Sequence, residues 1–226
     1  MAFDGCFVTG TDTGVGKTLV SAALLHTLAR HHARVVGMKP VAAGLVQQGG
    51  AWVAEDALAL RAASTVAVPS VLDNPVMLPE PLSPHLSAAR AGRRVGVAEL
   101  VAAHRGLRSL ADVVLVEGSG GWRVPLNESE TLADLAVALA LPVVLVVGLR
   151  LGCLNHALLT AEAIRADGLH LAGWVANAID PGMACRDENM DTLRHWLPAP
   201  LLGVVPWQPQ TPDARQIVLD LPDTWR

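Results

Sequence analysis

The stretch Phe7-Val8-Thr9-Gly10-Thr11-Asp12-Thr13-Gly14-Val15-Gly16-Lys17-Thr18 sets a glycine-containing loop between a short apolar run and a helical pattern. Cys6 to Thr9 reads as a strand and Lys17 to His31 as a helix. Backbone N–H groups of such a loop, with the positive end of the following helix, surround phosphate oxygens. Lys17 reaches the β- and γ-phosphates and the Thr18 hydroxyl suits Mg²⁺. A nucleoside triphosphate uses all of these groups at once. Thr13, Gly14, Val15, Gly16, Lys17 and Thr18 are therefore the expected phosphate-binding residues, with a nucleoside triphosphate and Mg²⁺ the expected ligands. The strict spacing G-x-x-x-x-G-K-[ST] asks for glycine at position 11, where this chain has Thr11; Gly10 comes one residue early, and the Gly16-Lys17-Thr18 end is intact.

Outward from this stretch, short apolar runs alternate with longer helical patterns, the signature of crossover units feeding a mainly parallel sheet. Strands are expected at Arg34–Met38, Asp112–Val116, Val143–Val147, Leu171–Ala176 and Leu201–Val204. Helices are expected from Glu55, over Val97–Leu110, Thr131–Leu141 and Cys153–Asp167, and over Arg186–Trp196. Gly44 to Gly50 reads as a glycine-rich loop. Pro69 to Pro84 reads as a proline-punctuated segment holding a short strand, Pro75–Leu78, with Ser83 and Pro84 as N-cap and first residue of another helix. From Pro206 the chain reads as a proline-rich tail. The expected fold is α/β, a twisted and mainly parallel sheet with helices on both faces, and residues 1–226 are expected to form one domain.

Composition excludes several classes. Apolar residues at 51% against 17% charged describe a chain with a sizeable core rather than a disordered one. Three cysteines, Cys6, Cys153 and Cys185, without metal-ligand spacing predict neither a disulfide framework nor a zinc site, and a reducing cytoplasmic home. A net charge of −4 with scattered lysines and arginines argues against nucleic-acid binding. The longest uncharged stretch, Leu135–Leu149, has 15 residues and is divided by Pro142, too short to span a bilayer. The N-terminus lacks a basic leader segment, so no cleaved signal is expected.

In an open parallel sheet the ligand lies beyond the carboxyl ends of the strands, so charges placed there converge on the phosphates. Glu117 ends the apolar run Val113–Val116 and precedes Gly118-Ser119-Gly120-Gly121. A carboxylate there suits Mg²⁺, although capping of a neighbouring loop would also account for it. Lys39 ends an apolar strand, where an ammonium requires an anion or else snorkels to an edge. Asp56 opens a helical pattern; it can bridge metal and phosphate, but acidic residues in a first turn are also expected from the helix dipole. Asn177 can read a base or simply make a turn.

Together these segments resemble the dethiobiotin synthetase family, ATP-dependent cyclo-ligases of biotin synthesis. The resemblance rests on Val8–Thr18, Lys39-Pro40-Val41-Ala42, Asp56-Ala57-Leu58, Pro81-Leu82-Ser83-Pro84-His85 and Val116–Trp122. It continues through Leu151–Ala157, Gly173–Asn177 and Leu202–Trp207. It implies that CO₂ adds to one amine of 7,8-diaminononanoate, that ATP phosphorylates the carbamate, and that the second amine closes a cyclic urea. Lys17 and Lys39 become the catalytic residues and Thr18, Asp56 and Glu117 the Mg²⁺ set. Gly118, Ser119 and Gly120 join the nucleotide site. Asn177, Pro206, Trp207 and Gln208 are expected at the adenine. Lys39, Ala43, Gly152, Cys153, Leu154 and Asn155 are expected at the substrate, the last four offered by the second subunit of a homodimer.

This chain departs from the family at Ala43, where a hydroxyl residue is common, and at Gly14, where some members carry glutamate. Two other readings remain. One is an amide-forming ligase of the cobyrinate diamide type; those generally depend on a glutaminase domain, for which 226 residues leave no room. The other is a regulatory or partitioning ATPase that binds a protein or membrane. Such ATPases carry a further lysine where this chain has Asp12.

Overall fold

A computed structural model describes residues 3–226. The first half runs β1 (Gly5–Gly10), α1 (Lys17–Leu28), β2 (Val35–Met38), β3 (Val41–Ala43), β4 (Val46–Gln48), β5 (Ala51–Val53), α2 (Glu55–Ala63), α3 (Ser70–Asp73), β6 (Val76–Leu78) and α4 (Pro84–Arg90). It continues with α5 (Val97–Arg108), β7 (Val113–Glu117), α6 (Leu132–Leu139), β8 (Val143–Leu149), α7 (Cys153–Ala166), β9 (Leu171–Ala178), α8 (Arg186–Trp196) and β10 (Leu201–Val205).

Six strands form one sheet in the order β10-β9-β8-β1-β7-β2, every neighbouring pair parallel. The expected α/β class with a parallel sheet covered on both faces is the observed one. The chain leaves β1 toward the β2 edge, returns through β7, and then moves to the other side of β1 with β8. That reversal opens a crevice at the carboxyl ends of β1 and its neighbours.

The central strands read as unbroken apolar runs, yet their side chains still alternate between two cores. In β8, Val143, Leu145, Val147 and Leu149 join the core packed by α5, α6 and α7, while Val144 and Val146 join that packed by α1. Phe7 and its neighbours Cys6 and Val8 divide in the same way. A strand buried on both faces leaves no polar side in its sequence, so continuous apolar runs are what such strands require.

The structure corrects the sequence reading in several places. α1 stops at Leu28 rather than His31, because Arg30 and His31 bond back to Thr27 and Leu28 in tighter turns. Gly44–Gly50 is not all loop: β4 and β5 form an antiparallel hairpin whose tip, Gly49-Gly50, has φ of 58° and 82°. Positive φ at both central residues matches strand twist, which is why glycine occupies the tip. β3 pairs with β6 in a second, two-stranded parallel sheet, giving the short strand at Pro75–Leu78 its partner. Ser83 does occupy the N-cap before Pro84, but its hydroxyl makes no cap bond.

The tail also differs from expectation. Ile217, Leu219, Leu221 and Trp225 are buried on the α1 face, and Trp225 stacks on Phe3 with ring centroids 4.4 Å apart. The N–H of Asp220 donates to the Leu202 carbonyl at 2.7 Å, so the tail runs along β10. Its apolar residues at every second position mark an extended segment with one buried side.

Candidate active site

The site begins where β1 hands over to α1. The loop is fastened from two neighbouring strands: the Thr11 N–H donates to Val146 O of β8 at 3.0 Å, and the Asn177 side-chain amide, at the end of β9, donates to Val15 O at 2.8 Å. Asp12 forms an ion pair with Arg150, just beyond β8. Its pKa lies below the usual carboxylate range, chiefly through the Thr13 N–H and, against burial, through Arg150. Gly16 caps α1 in the left-handed region at φ 86°, with its missing side chain pressed toward Asn177. Only glycine fits both conditions.

Lys17 folds back to donate to the Asp12 carbonyl at 3.0 Å. Burial, reinforced by repulsion from Lys39, brings its pKa down to about 8. A phosphate beside it would favour the charged form further.

Four side chains converge behind the loop. The Thr18 hydroxyl lies 2.9 Å from both Asp56 Oδ1 and Glu117 Oε1. Lys39 Nζ lies 2.7 Å from Asp56 Oδ2 and 2.6 Å from Glu117 Oε1. Lys39 is 3% exposed and Glu117 fully buried, so this ammonium is not snorkelling. Burial works against the Lys39 charge, but attraction to Glu117 and Asp56 outweighs it and raises the pKa. Burial likewise opposes the Asp56 charge, and Lys39 with Thr18 overcomes it and lowers the pKa.

The residues present fit Mg²⁺. A hydroxyl and two carboxylates make a hard oxygen donor set, and Glu117 Oε2 is buried with no partner. A fully buried carboxylate oxygen without a donor is costly unless something cationic or a water completes it.

A cleft of about 730 Å³ opens over this group. Thr13, Gly14, Gly16, Lys17 and Thr18 line its floor, with Lys39, Asp56, Glu117, Ser119 and Gly120 beside them. Ala43 stands on the far wall with Pro81, Leu82, Ser83, Pro84 and Val124. Ser119 anchors that wall by donating to Val41 O at 2.5 Å. Val15 lies buried beneath the loop, and Gly118 accepts a hydrogen bond from Lys39 at 3.3 Å.

Other expected residues lie outside the cleft lining. Pro206, Trp207 and Gln208 are exposed beyond β10, and the Asn177 amide nitrogen is spent on Val15 rather than left for a base. Gly152, Cys153, Leu154 and Asn155 open α7 away from the cleft of their own chain; Cys153 is buried and Asn155 exposed. Reasoning from the sequence missed Asp12 and its partner Arg150, along with Gly121 and Val124, as parts of the site. Asp12 and Gly121 lie inside the two glycine-containing stretches quoted above, whereas nothing local announced Val124 or Arg150, an ordinary charged residue after a strand.

The fold and the loop geometry define a P-loop nucleotide-binding protein. The AAA domain family matches residues 4–215, and the chain belongs to that family. Among solved structures it is similar to a ParA family ATPase from Chlorobium tepidum, with TM-score 0.57 and 13% identity over 92% of this chain and 86% of that one. The septum site-determining protein MinD from Pyrococcus horikoshii, complexed with Mg-ADP, matches with TM-score 0.56 and 20% identity over 92% and 83%. MinD in the MinC:MinD complex of Aquifex aeolicus gives TM-score 0.56 and 16% identity over 91% and 82%. At these identities the likeness is one of fold. No helix among the described residues is long and apolar enough to cross a membrane.

Proposed function

We propose that this chain is an ATP- and Mg²⁺-dependent cyclo-ligase that converts 7,8-diaminononanoate and CO₂ to dethiobiotin. The observation that carries the reading is Lys39. It is a buried ammonium clamped by two carboxylates at one end of a walled cleft that continues past the phosphate loop to Ala43, Pro81 and Val124. Such a cleft has the volume of a small-molecule site. The AAA domain match, a family that includes dethiobiotin synthetase-like proteins, supports it, as does the Mg-ADP held by a protein of the same fold.

In this reading one substrate amine takes up CO₂ as a carbamate. A carbamate oxygen attacks the γ-phosphorus and ADP leaves. The second amine attacks the carbamoyl carbon, phosphate departs, and the amines' protons pass to solvent. Lys17 and Lys39 offset the negative charge shared by carbamate and phosphoryl group in a site poor in water. Thr18, Asp56 and Glu117 would hold Mg²⁺, which supplies charge neutralisation at the phosphates. Ring closure needs mainly orientation, which the wall from Ala43 to Val124 provides. At Ala43 a backbone group or a water takes the place of the family's hydroxyl.

In this reading Pro206–Gln208, exposed beyond β10, meet the adenine, and Asn177 serves the nucleotide from the end of β9 by holding the loop through Val15 O. The Gly152–Asn155 start of α7, exposed at Gly152 and Asn155, serves the substrate carboxylate of a second copy, which makes the homodimer the functional unit. Residues 1–226 act as one cytoplasmic domain.

A second reading has specific support: the ParA and MinD structures share the fold, which suits a regulatory ATPase. Asp12, paired to Arg150, stands where the sequence reading expects a further lysine in a partitioning ATPase, and weighs against it. Phosphate release from Mg-ATP with bicarbonate, measured with and without the diamine and followed by product mass, separates the two. Diamine-dependent release with a dethiobiotin mass is expected. Release indifferent to the diamine would overturn the cyclo-ligase reading and favour the regulatory one.

A further inference from the structure

Lys39 is held by more than its two carboxylate partners. Its N–H donates to the Asp73 carbonyl at 2.7 Å, and its own carbonyl accepts from the Asn74 side-chain amide at 2.7 Å. Both peptide groups of the residue are therefore fixed by one short segment at the end of α3. Asp73 and Asn74 are themselves buried. The Asp73 carboxylate is gripped by Arg61 in a two-pronged pair, Nε to Oδ2 and Nη2 to Oδ1, each 2.6 Å.

Arg61 lies on α2, the helix whose first turn presents Asp56 to the Lys39 ammonium. One helix thus touches the lysine at two levels. Its start meets the charged tip, and its later turn holds the segment that fixes the main chain. A planar guanidinium on a carboxylate specifies orientation as well as distance, which a lysine in its place would not. The pair serves no other visible purpose at the cleft, since neither residue lines it.

We propose that Arg61, through Asp73 and Asn74, is a positioning residue that sets the reach of Lys39 into the cleft. The mechanical inference stands on geometry alone; its effect on turnover rests on the cyclo-ligase reading. The Arg61–Asp73 pair forms part of the wall of a surface cavity of about 260 Å³ lined also by Val36, Ser64 and Val66. A small cation can therefore enter when the side chain is removed.

The test uses the full chain with Arg61→Ala, and Asp73→Asn as a variant that keeps shape and one acceptor should the first not fold. Amide hydrogen exchange is read first. Exchange at Lys39 is expected to quicken in both variants while the phosphate-loop amides keep wild-type protection; unchanged exchange at Lys39 overturns the proposal. Diamine-dependent phosphate release is read second, with kcat expected to fall on the order of 10–100-fold and KM for ATP to stay within about twofold. Millimolar guanidinium is expected to recover part of the loss in Arg61→Ala, and urea none. A kcat at wild-type level, or a loss that guanidinium leaves untouched, also overturns it. If the wild-type chain shows no diamine-dependent release, the cyclo-ligase reading fails, and exchange alone decides the role of Arg61.

Discussion

The ammonium of Lys39 lies 2.6 Å from Glu117 Oε1, and both groups are withdrawn from water. Neither charge is tolerable there without the other, so the pair serves folding and chemistry together. Lys39→Ala is expected to cost about 3 kcal/mol of stability, because it strands a buried carboxylate. Adding Glu117→Gln should recover much of that loss in a denaturant titration, since an amide carries no charge to desolvate. In turnover, Lys39→Ala should lower kcat by about 100-fold or more and leave nucleotide binding largely intact. Normal turnover would remove Lys39 from the mechanism.

Gly16→Ala asks an L-residue to hold φ 86° and places a methyl 2.1 Å from the Asn177 amide nitrogen. The loop must shift to accommodate it. Calorimetric titration with Mg-ATP should show affinity lost by more than about tenfold; wild-type affinity would mean that the loop binds phosphate in another conformation.

Asn177→Asp replaces the donor facing Val15 O with a carboxylate that repels it. Losing a buried hydrogen bond of this kind costs about 1–3 kcal/mol. ATP affinity should fall accordingly, and more steeply than in Asn177→Ala, which removes the donor without adding charge. Wild-type affinity in both variants would show that the contact does not hold the loop.

His104, on α5, is buried beside Arg108, and its Nε2 has no partner. Burial first, then repulsion from Arg108 against a weaker pull from Asp4, brings its pKa from 6.5 to about 4. Between these values the unfolded chain binds more protons than the folded one, so stability falls as pH drops from 6.5 toward 4. The loss amounts to roughly 3 kcal/mol at most. Comparing Tm at pH 7 and pH 5, His104→Leu should flatten this acid limb; an unchanged slope would place the acid sensitivity elsewhere.

Much of this molecule was legible from residue order. The strand–loop–helix at Cys6–Thr18 and the apolar runs at Val113–Val116 and Val143–Val147 fixed the class, since strands buried on both faces admit few other residues. The same logic placed Lys39 and Glu117, because a charge closing an apolar strand must face a ligand or a counter-ion. Asp56 was ambiguous from its neighbours alone, for a first-turn carboxylate suits the helix dipole anywhere. Only packing brought it within 2.7 Å of Lys39.

What tertiary structure decided was every pairing across distance. Arg61 with Asp73, Arg150 with Asp12, and Asn177 with Val15 each join residues that local periodicity treats as unrelated. The buried side of the tail from Ile217 to Trp225 likewise exists only because β10 and α1 leave an apolar strip for it to cover. Local sequence determines which conformations and which faces are favourable, through sterics and the transfer of apolar groups from water. It cannot specify which distant partner satisfies a buried polar group, because that depends on the chain having already closed around it.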